Sequence, residues 1–188
     1  MPSFFIDGVA CLTKTTLLQR LENEHPDWAI HYSDYAAFVE KFDLDCGDGQ
    51  KNSLLYTANR FKWEVDPRQV NIFDRHPVTT IVYSYVFEKV CNMDKMMKHF
   101  QVAKAISPPC KGIVLLPKPG QYELVVNQMK KRNSVLDSIN LEYVKKQTTI
   151  FRVWAQVFEF PVFEVDYLNL DQEQDKIVSV MNDLVMKG

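Results

Sequence analysis

Gly8, Lys14 and Thr15 have the residue types and the spacing of a loop that binds phosphate groups. Such loops follow the pattern Gly-x-x-x-x-Gly-Lys-Ser/Thr, in which the lysine reaches the outer phosphates and the hydroxyl binds Mg²⁺. Backbone N–H groups at the start of the following helix bind phosphate oxygens, helped by the helix dipole. The pattern predicts a nucleotide site at Gly8, Thr13, Lys14, Thr15 and Thr16, with the metal on Thr15.

Thr13 departs from this pattern because it occupies the place of the second glycine. If the loop needs a left-handed backbone there, a β-branched side chain costs about 1–2 kcal/mol. Cys11 adds further bulk to the loop. An ordinary strand-to-helix turn with an incidental lysine is therefore the alternative interpretation of this segment.

A second polar cluster, Asp74-Arg75-His76-Pro77, follows the apolar run at residues 70–73 and precedes a helical pattern. In open α/β sheets, ligands bind at the carboxyl ends of parallel strands. A carboxylate and an arginine at that edge can order Mg²⁺ and neutralise phosphate charge. We therefore predict that Asp74 contributes to the metal site, the alternative being a surface ion pair that caps a helix.

Five short apolar runs, at residues 4–6, 28–30, 70–73, 112–116 and 161–165, must position these side chains. Longer segments with helical spacing separate them, for example Leu17, Leu18 and Leu21. This alternation predicts one α/β domain over residues 1–188, with a parallel sheet covered by helices on both faces. We expect all five strands to be buried on both sides.

The composition is that of a globular protein, with 46% hydrophobic and 24% charged residues. A net charge of −2 disfavours general binding to nucleic acid or to anionic membranes. The four cysteines lack metal-site spacing, which favours reduced thiols in a cytoplasmic or nuclear compartment. No signal peptide or membrane span is expected, because no apolar run reaches about 18 residues.

Three longer stretches resemble the thymidine, deoxynucleoside and thymidylate kinases. The segment FDRHPVTTIVYSY resembles a motif of herpesvirus thymidine kinases, and LLYTANRFKWE, residues 54–64, resembles the substrate helix of thymidylate kinases. Residues 112–154 are similar to the strand, helix, lid and following helix of deoxynucleoside kinases. The resemblance implies a P-loop kinase fold, a five-stranded sheet in the order 2-3-1-4-5, and the use of ATP and Mg²⁺.

The same resemblance assigns roles to individual residues. Arg75 matches an arginine near the 5′ end of the substrate, Tyr56 an aromatic residue that stacks on the base, and Arg60 a side chain that contacts the base. Lid arginines surround the transferring phosphoryl group in related kinases. Here Arg132 is the candidate lid arginine, while residues 133–138 contain no further basic side chain. Solvent-exposed basic residues at a helix end are the alternative.

Asp34 bears on the choice of phosphate acceptor. It stands after the second predicted strand, where deoxynucleoside kinases carry a glutamate, and a carboxylate there can accept the proton of an attacking 5′-hydroxyl. Thymidylate kinases need an arginine near this point, yet none lies between Arg20 and Arg60. A nucleoside acceptor is therefore favoured over a monophosphate. A simple helix N-cap is the alternative role of Asp34.

These observations leave three functions open. The first is an ATP-dependent deoxynucleoside kinase with thymidine as its first expected substrate, and the second is a thymidylate kinase. The third is a catalytically degenerate kinase-like binding or structural protein, which Cys11, Thr13 and the sparse lid favour. A small-molecule nucleoside or nucleotide is the expected partner, a homodimer is possible, and the herpesvirus-like motif suggests a viral origin.

Overall fold

A single parallel sheet organises the computed structural model, which describes residues 3–45, 49–60, 65–132 and 138–187. Its strands are β1 (Ser3–Gly8), β2 (Ala29–His31), β3 (Asn71–Asp74), β4 (Cys110–Pro117) and β5 (Val162–Val165). They lie in the order β2-β3-β1-β4-β5, and every neighbouring pair is parallel. The predicted strand order and the predicted central position of residues 4–6 are therefore confirmed.

The register places the chemically interesting strand ends side by side. Ile6 of β1 pairs with Asp74 of β3 and with Ile113 of β4, and Gly8 pairs with Leu115. Close packing at the sheet also explains Gly112, because a Cβ there would lie 2.4 Å from the carbonyl oxygen of Phe5. The carboxyl ends of β1 and β3 thus form one edge on which loops from both strands meet.

Burial differs between the central and the outer strands. β1 and β3 are almost wholly buried, and β4 is buried from Gly112 to Pro117. β2 is only half-buried, and in β5 Val162 is exposed while Val165 is buried. The expectation that all five strands are buried on both sides was wrong for these two, because an edge strand has a neighbour on one side only.

Helices cover both faces of the sheet, as predicted. They are α1 (Lys14–Glu24), α2 (Tyr35–Lys41), α3 (Gly49–Arg60), α4 (Thr79–Phe87), α5 (Met93–Ile106), α6 (Tyr122–Arg132), α7 (Leu141–Phe158) and α8 (Leu170–Met186). α7 packs against α4, α5, α6 and β4, while α8 packs against α1, β4 and β5. The long apolar stripe of α7 thereby becomes part of the main core.

An aromatic cluster fills the core beneath β3. His76 lies within 5.0 Å of the Phe5 ring and 5.5 Å of the Trp154 ring, measured between centroids, and Phe158 and Phe160 complete its surroundings. Burial lowers the pKa of His76 to about 3, so the imidazole is neutral. Its Nδ1 accepts a hydrogen bond from the backbone N–H of Val78 at 3.2 Å. His76 is therefore a core residue that fixes the turn between β3 and α4.

Among the described residues, no helix has both the length and the apolar character needed to span a membrane. Cys11, Cys91 and Cys110 are not joined in disulfides, while Cys46 lies outside the described ranges.

Candidate functional site

Gly8 begins the candidate phosphate loop in a backbone conformation that requires glycine. Its φ is 130°, and a Cβ at this position would lie 2.0 Å from the carbonyl oxygen of Leu115. The next residue, Val9, donates its N–H to that same oxygen at 3.1 Å. The first glycine of the motif is thus explained by its close approach to β4.

The loop then passes through two left-handed residues that are not glycine. Cys11 has a φ of 60° and Thr13 a φ of 55°. Thr13 is the N-cap residue of α1, and its carbonyl accepts the N–H of Leu17 at 3.0 Å, but its side chain makes no capping hydrogen bond. The expected left-handed backbone at position 13 is confirmed. Each such residue costs about 1–2 kcal/mol, which the surrounding structure must offset.

Lys14 is folded back onto the loop. Its Nζ donates to the carbonyl oxygens of Val9 at 2.6 Å and Gly8 at 3.1 Å, and the residue is 7% exposed. Burial, reinforced by the nearby charge of Arg75, lowers the pKa of Lys14 to about 8, although Asp7 and Asp74 act in the opposite direction. An ammonium group held by two carbonyls beside a helix N-terminus is able to exchange those partners for phosphate oxygens.

Asp74 and Arg75 stand at the end of β3, next to the loop. Asp74 is buried, and this burial raises its pKa against the opposing effects of the Arg75 and Lys14 charges. Arg75 has a left-handed backbone, with φ 73°, and its guanidinium lies 5.4 Å from the ring centroid of Tyr83. Burial lowers the pKa of Arg75, but Tyr83 and Asp74 outweigh it and raise the pKa overall. The structure thus brings Lys14, Asp74 and Arg75 together.

The donor set suits Mg²⁺ that is shared with phosphate oxygens. Mg²⁺ usually keeps several waters and takes only one or two protein ligands when it binds nucleotide phosphates. Asp74 supplies a carboxylate at this edge and Thr15 an exposed hydroxyl at the start of α1. Among the described residues no group of three or more His, Cys, Asp or Glu side chains forms a metal site by itself. The metal role of Thr15 and Asp74 therefore stays a prediction that depends on bound phosphate.

Asp7 is a site residue that the sequence reasoning missed. This fully buried carboxylate accepts the N–H of Gly8 at 2.7 Å through Oδ1. Its Oδ2 accepts the N–H of His76 at 3.1 Å and the hydroxyl of Thr79. Asp7 therefore joins the phosphate loop to the Asp74-Arg75-His76 turn. An acidic residue at the end of the apolar run Phe4-Phe5-Ile6 was the available signal.

Arg60 lies beneath the same turn instead of standing free. Its guanidinium donates to the carbonyl oxygens of His76 at 2.9 Å and Asp74 at 3.2 Å, and also to that of Arg75. The side chain is only 5% exposed. In this conformation Arg60 stabilises the left-handed Arg75, and its predicted contact with a base stays a prediction.

Tyr56 is buried in a small second core with Phe38 and Tyr35. The Tyr56 ring centroid lies 5.3 Å from that of Phe38 and 5.2 Å from that of Tyr35. The Tyr56 hydroxyl forms a hydrogen bond with the Ser33 hydroxyl, and burial raises the pKa of Tyr56 to about 12. Because Tyr56 is 5% exposed, base stacking on this ring requires movement of the side chains that pack on it.

The last two predicted residues lie on exposed elements. Asp34 is the N-cap of α2, where its Oδ1 accepts the N–H groups of Ala36 at 2.8 Å and Ala37 at 3.4 Å. Arg132 is exposed at the last turn of α6. Residues 133–137, the rest of the predicted lid, lie outside the described ranges, as do residues 61–64. The catalytic roles of Asp34 and Arg132 stay predictions.

Comparison with known proteins gives one curated relative and many similar structures. No family model matches the chain. An uncharacterized 33.9 kDa protein in the PE 3′ region of Lymantria dispar multicapsid nuclear polyhedrosis virus is 30% identical over 189 residues, which cover 97% of this chain. The chain spans 64% of the length of this viral relative.

Three of the similar solved structures hold bound nucleotides. Deoxyadenosine kinase from M. mycoides with bound dATP superposes with a TM-score of 0.69 at 16% identity, covering 97% of this chain and 100% of that one. The same kinase with dCMP and dCDP gives 0.67, again at 16% identity, over 97% and 99% of the two chains. The YorR protein of Bacillus subtilis, in complex with phosphorylated GDP, gives 0.56 at 14% identity over 98% and 95%. Together with the strand order, these likenesses show that the chain has the P-loop kinase fold.

Proposed function

We propose that this protein is an ATP-dependent deoxynucleoside kinase. The observation that carries the proposal is the meeting of Lys14, Asp74 and Arg75 at the carboxyl edge of β1 and β3, where their charges act on one another. Phosphoryl transfer depends mainly on positioning and on stabilising the negative charge that moves between oxygens. Two cations, one carboxylate and a helix N-terminus provide these elements. The structural likeness to deoxyadenosine kinase supports the same assignment.

In the proposed reaction, the substrate 5′-oxygen forms a bond to the γ-phosphorus of ATP, and the bond to the β–γ bridging oxygen breaks. ADP leaves, and the hydroxyl proton passes to Asp34. The two capping hydrogen bonds of Asp34 are made by Oδ1, so we assign the proton to Oδ2. Lys14 and Arg75 neutralise the transferring charge, with Arg132 as a third candidate. Thr15 and Asp74 would hold Mg²⁺, which would supply positive charge that neutralises part of the phosphate charge.

We assign the base region to α2 and α3. Tyr56 with Arg60 forms its inner wall, and the guanidinium of Arg60 lies 5.8 Å from the Tyr56 ring centroid. Thymidine is the first substrate to test, by resemblance of the substrate helix, and deoxyadenosine is the second because of the structural likeness. A viral origin, consistent with the relative, would place the reaction in the host cytoplasm or nucleus. We also propose that the protein forms a homodimer.

A catalytically degenerate nucleotide-binding protein is the second candidate. The specific observation in its favour is that Lys14 binds the loop's own carbonyls while Cys11 and Thr13 occupy left-handed positions. Thymidylate kinase is the third candidate, favoured by the segment that contains Tyr56 and Arg60. The absence of arginine between Arg20 and Arg60 argues against it.

Transfer of radiolabel from γ-labelled ATP tests the three candidates together. Thymidine, deoxyadenosine and thymidine monophosphate are offered separately, with Mg²⁺, to the wild type, to Lys14→Ala and to the exposed-lysine control Lys98→Ala. We expect label on a nucleoside with the wild type and with Lys98→Ala, and its loss with Lys14→Ala. Preference for the monophosphate would instead support thymidylate kinase. Calorimetric ATP binding without transfer to any acceptor would support the degenerate binding protein.

A further inference from the structure

Two side chains from distant parts of the chain bind consecutive residues of the phosphate loop. Gln147 of α7 accepts the N–H of Ala10 through Oε1 at 3.1 Å, and the hydroxyl of Tyr167 donates to the carbonyl oxygen of Cys11. They are 137 and 156 positions from their partners in the sequence. The two contacts hold the loop at Ala10 and Cys11, and Leu12 separates these residues from Thr13.

Gln147 is an unusual residue for its place in the fold. It is fully buried on the apolar side of α7, between Val144 and Phe151 on that helix. Its Nε2 has no hydrogen-bond partner among the described residues. Burying an amide donor without a partner costs free energy, so packing alone favours an apolar residue here. The hydrogen bond to Ala10 is the interaction that explains a glutamine.

Tyr167 begins a short 3-10 helix after β5, Tyr167–Asn169, and is itself held by several hydrogen bonds. Its backbone N–H donates to Oε1 of Gln121 at 2.7 Å, and Nε2 of Gln121 donates to Asp166 at 2.7 Å. Asp166 also accepts a hydrogen bond from Lys118 at 2.8 Å. Burial raises the pKa of the Tyr167 hydroxyl, which keeps it protonated and able to donate. Tyr167, which donates to Cys11, is therefore anchored by the segments that follow β4 and β5.

We infer that Gln147 and Tyr167 are positioning residues that hold Cys11 in the left-handed conformation which glycine adopts without strain. Left-handed backbone is unfavourable for cysteine, and external hydrogen bonds can select it when they fit only that arrangement. The inference deepens the proposed function, since it concerns how this loop is shaped to bind a nucleotide. It predicts that the two contacts matter most when the loop lacks glycine.

A double-mutant cycle tests this dependence. Tyr167→Phe, Cys11→Gly and the double variant are compared with the wild type by calorimetric titration with ATP and Mg²⁺. We expect Tyr167→Phe to weaken binding about five- to tenfold in the wild-type loop, the usual effect of one lost hydrogen bond. In the Cys11→Gly loop the loss should be about twofold or less, because glycine no longer needs to be held. A second cycle is made in the same way from Gln147→Met, Cys11→Gly and the double variant.

Tyr85→Phe is the matched control, because it removes a tyrosine hydroxyl that bonds to His99, away from the loop. It should leave ATP affinity within about twofold of the wild type. Equal losses for Tyr167→Phe in both loop backgrounds would overturn the inference, since additivity means that the contact and the backbone strain are independent.

The urea midpoint of unfolding provides a second measurement that needs no ligand. Tyr167→Phe should lower the midpoint more in the Cys11 protein than in Cys11→Gly. If the wild type binds no ATP, the proposed function fails, but this unfolding cycle still decides whether the loop is held as inferred. An additive unfolding cycle would reject the inference whatever the nucleotide result.

Discussion

Lys14 Nζ lies 2.6 Å from the carbonyl oxygen of Val9, a residue five positions earlier in the same loop. The lysine of a phosphate-loop motif is thus an internal donor in this structure, buried and bound to the backbone of its own loop. A bound phosphate must compete with these carbonyls. This competition links the stability of the loop to its capacity to bind ligand.

The buried ammonium of Lys14 predicts a dependence of stability on pH. Its pKa of about 8 in the folded chain is below the ordinary 10.5, so between these values the unfolded chain holds a proton that the folded chain has released. Stability from this group therefore rises with pH across that window, by about 3 kcal/mol in total. Urea unfolding of wild type and Lys14→Met from pH 7 to 10 measures it. We expect the stability of Lys14→Met relative to the wild type to fall as the pH rises. A stability difference that stays constant with pH would contradict the prediction.

Thr13→Gly should tighten ATP binding about two- to fivefold. Glycine removes the strain of the left-handed backbone, which is about 1–2 kcal/mol. The greater flexibility of glycine in the unbound loop offsets part of this gain in binding free energy. Calorimetric titration with Mg²⁺ measures the change. Thr149→Gly, made within the helical backbone of α7 and outside the loop, should bring no such gain. Unchanged or weaker binding by Thr13→Gly would show that strain at position 13 does not limit affinity.

Asp34→Asn separates catalysis from helix capping, because asparagine is as good an N-cap as aspartate. If Asp34 is the general base, kcat and kcat/KM for the nucleoside should fall together by about 10²–10⁴-fold. Nucleoside affinity and the thermal unfolding midpoint should change little. Steady-state kinetics with the best nucleoside acceptor test this. A variant that keeps its turnover would leave Asp34 with the capping role alone.

Thr79→Val should destabilise the fold by about 1–3 kcal/mol. The hydroxyl of Thr79 is a hydrogen-bond donor to the buried carboxylate of Asp7, and removing it leaves that acceptor partly unsatisfied. Thr149→Val is the matched control, since the Thr149 hydroxyl donates to the carbonyl of Lys145 on an exposed turn of α7. Denaturant unfolding of both variants measures the difference. If both variants lose a similarly small free energy of unfolding, the Asp7 network contributes little stability.

The neutral imidazole of His76 predicts a loss of stability in acid. Its pKa is about 3 in the folded chain and 6.5 ordinarily, so below pH 6.5 the unfolded chain binds a proton that the folded chain does not bind. The cost should reach about 2 kcal/mol by pH 5. His76→Asn retains a side-chain acceptor but cannot titrate. Unfolding at pH 7 and pH 5 should show the wild type losing stability relative to the variant, and parallel pH profiles would refute this.

The sequence by itself determined the parallel sheet and the edge of it at which the candidate site residues lie. Apolar runs separated by helical segments predicted a parallel sheet, and the resemblance to the thymidine, deoxynucleoside and thymidylate kinases implied its strand order. Because parallel strands end at the same edge, the positions of Gly8, Lys14 and Asp74 after β1 and β3 already predicted that they meet. The parallel sheet follows from local periodicity and chain direction, which a sequence records directly, whereas the strand order came from the resemblance. The burial of the outer strands β2 and β5 was predicted less well, since burial at an edge depends on which neighbours are present.

The tertiary structure alone decided how the loop is held. The hydrogen bonds of Asp7 to His76, Gln147 to Ala10 and Tyr167 to Cys11 join residues 69, 137 and 156 positions apart. No periodicity encodes such pairs, because they depend on side-chain directions fixed only after helices and sheet have packed. The inward fold of Lys14 likewise depends on the positions of two loop carbonyls, set by left-handed residues whose types disfavour that backbone. Local preference and global packing conflict in this loop, and the packing prevails because many distant contacts oppose a local cost of a few kcal/mol.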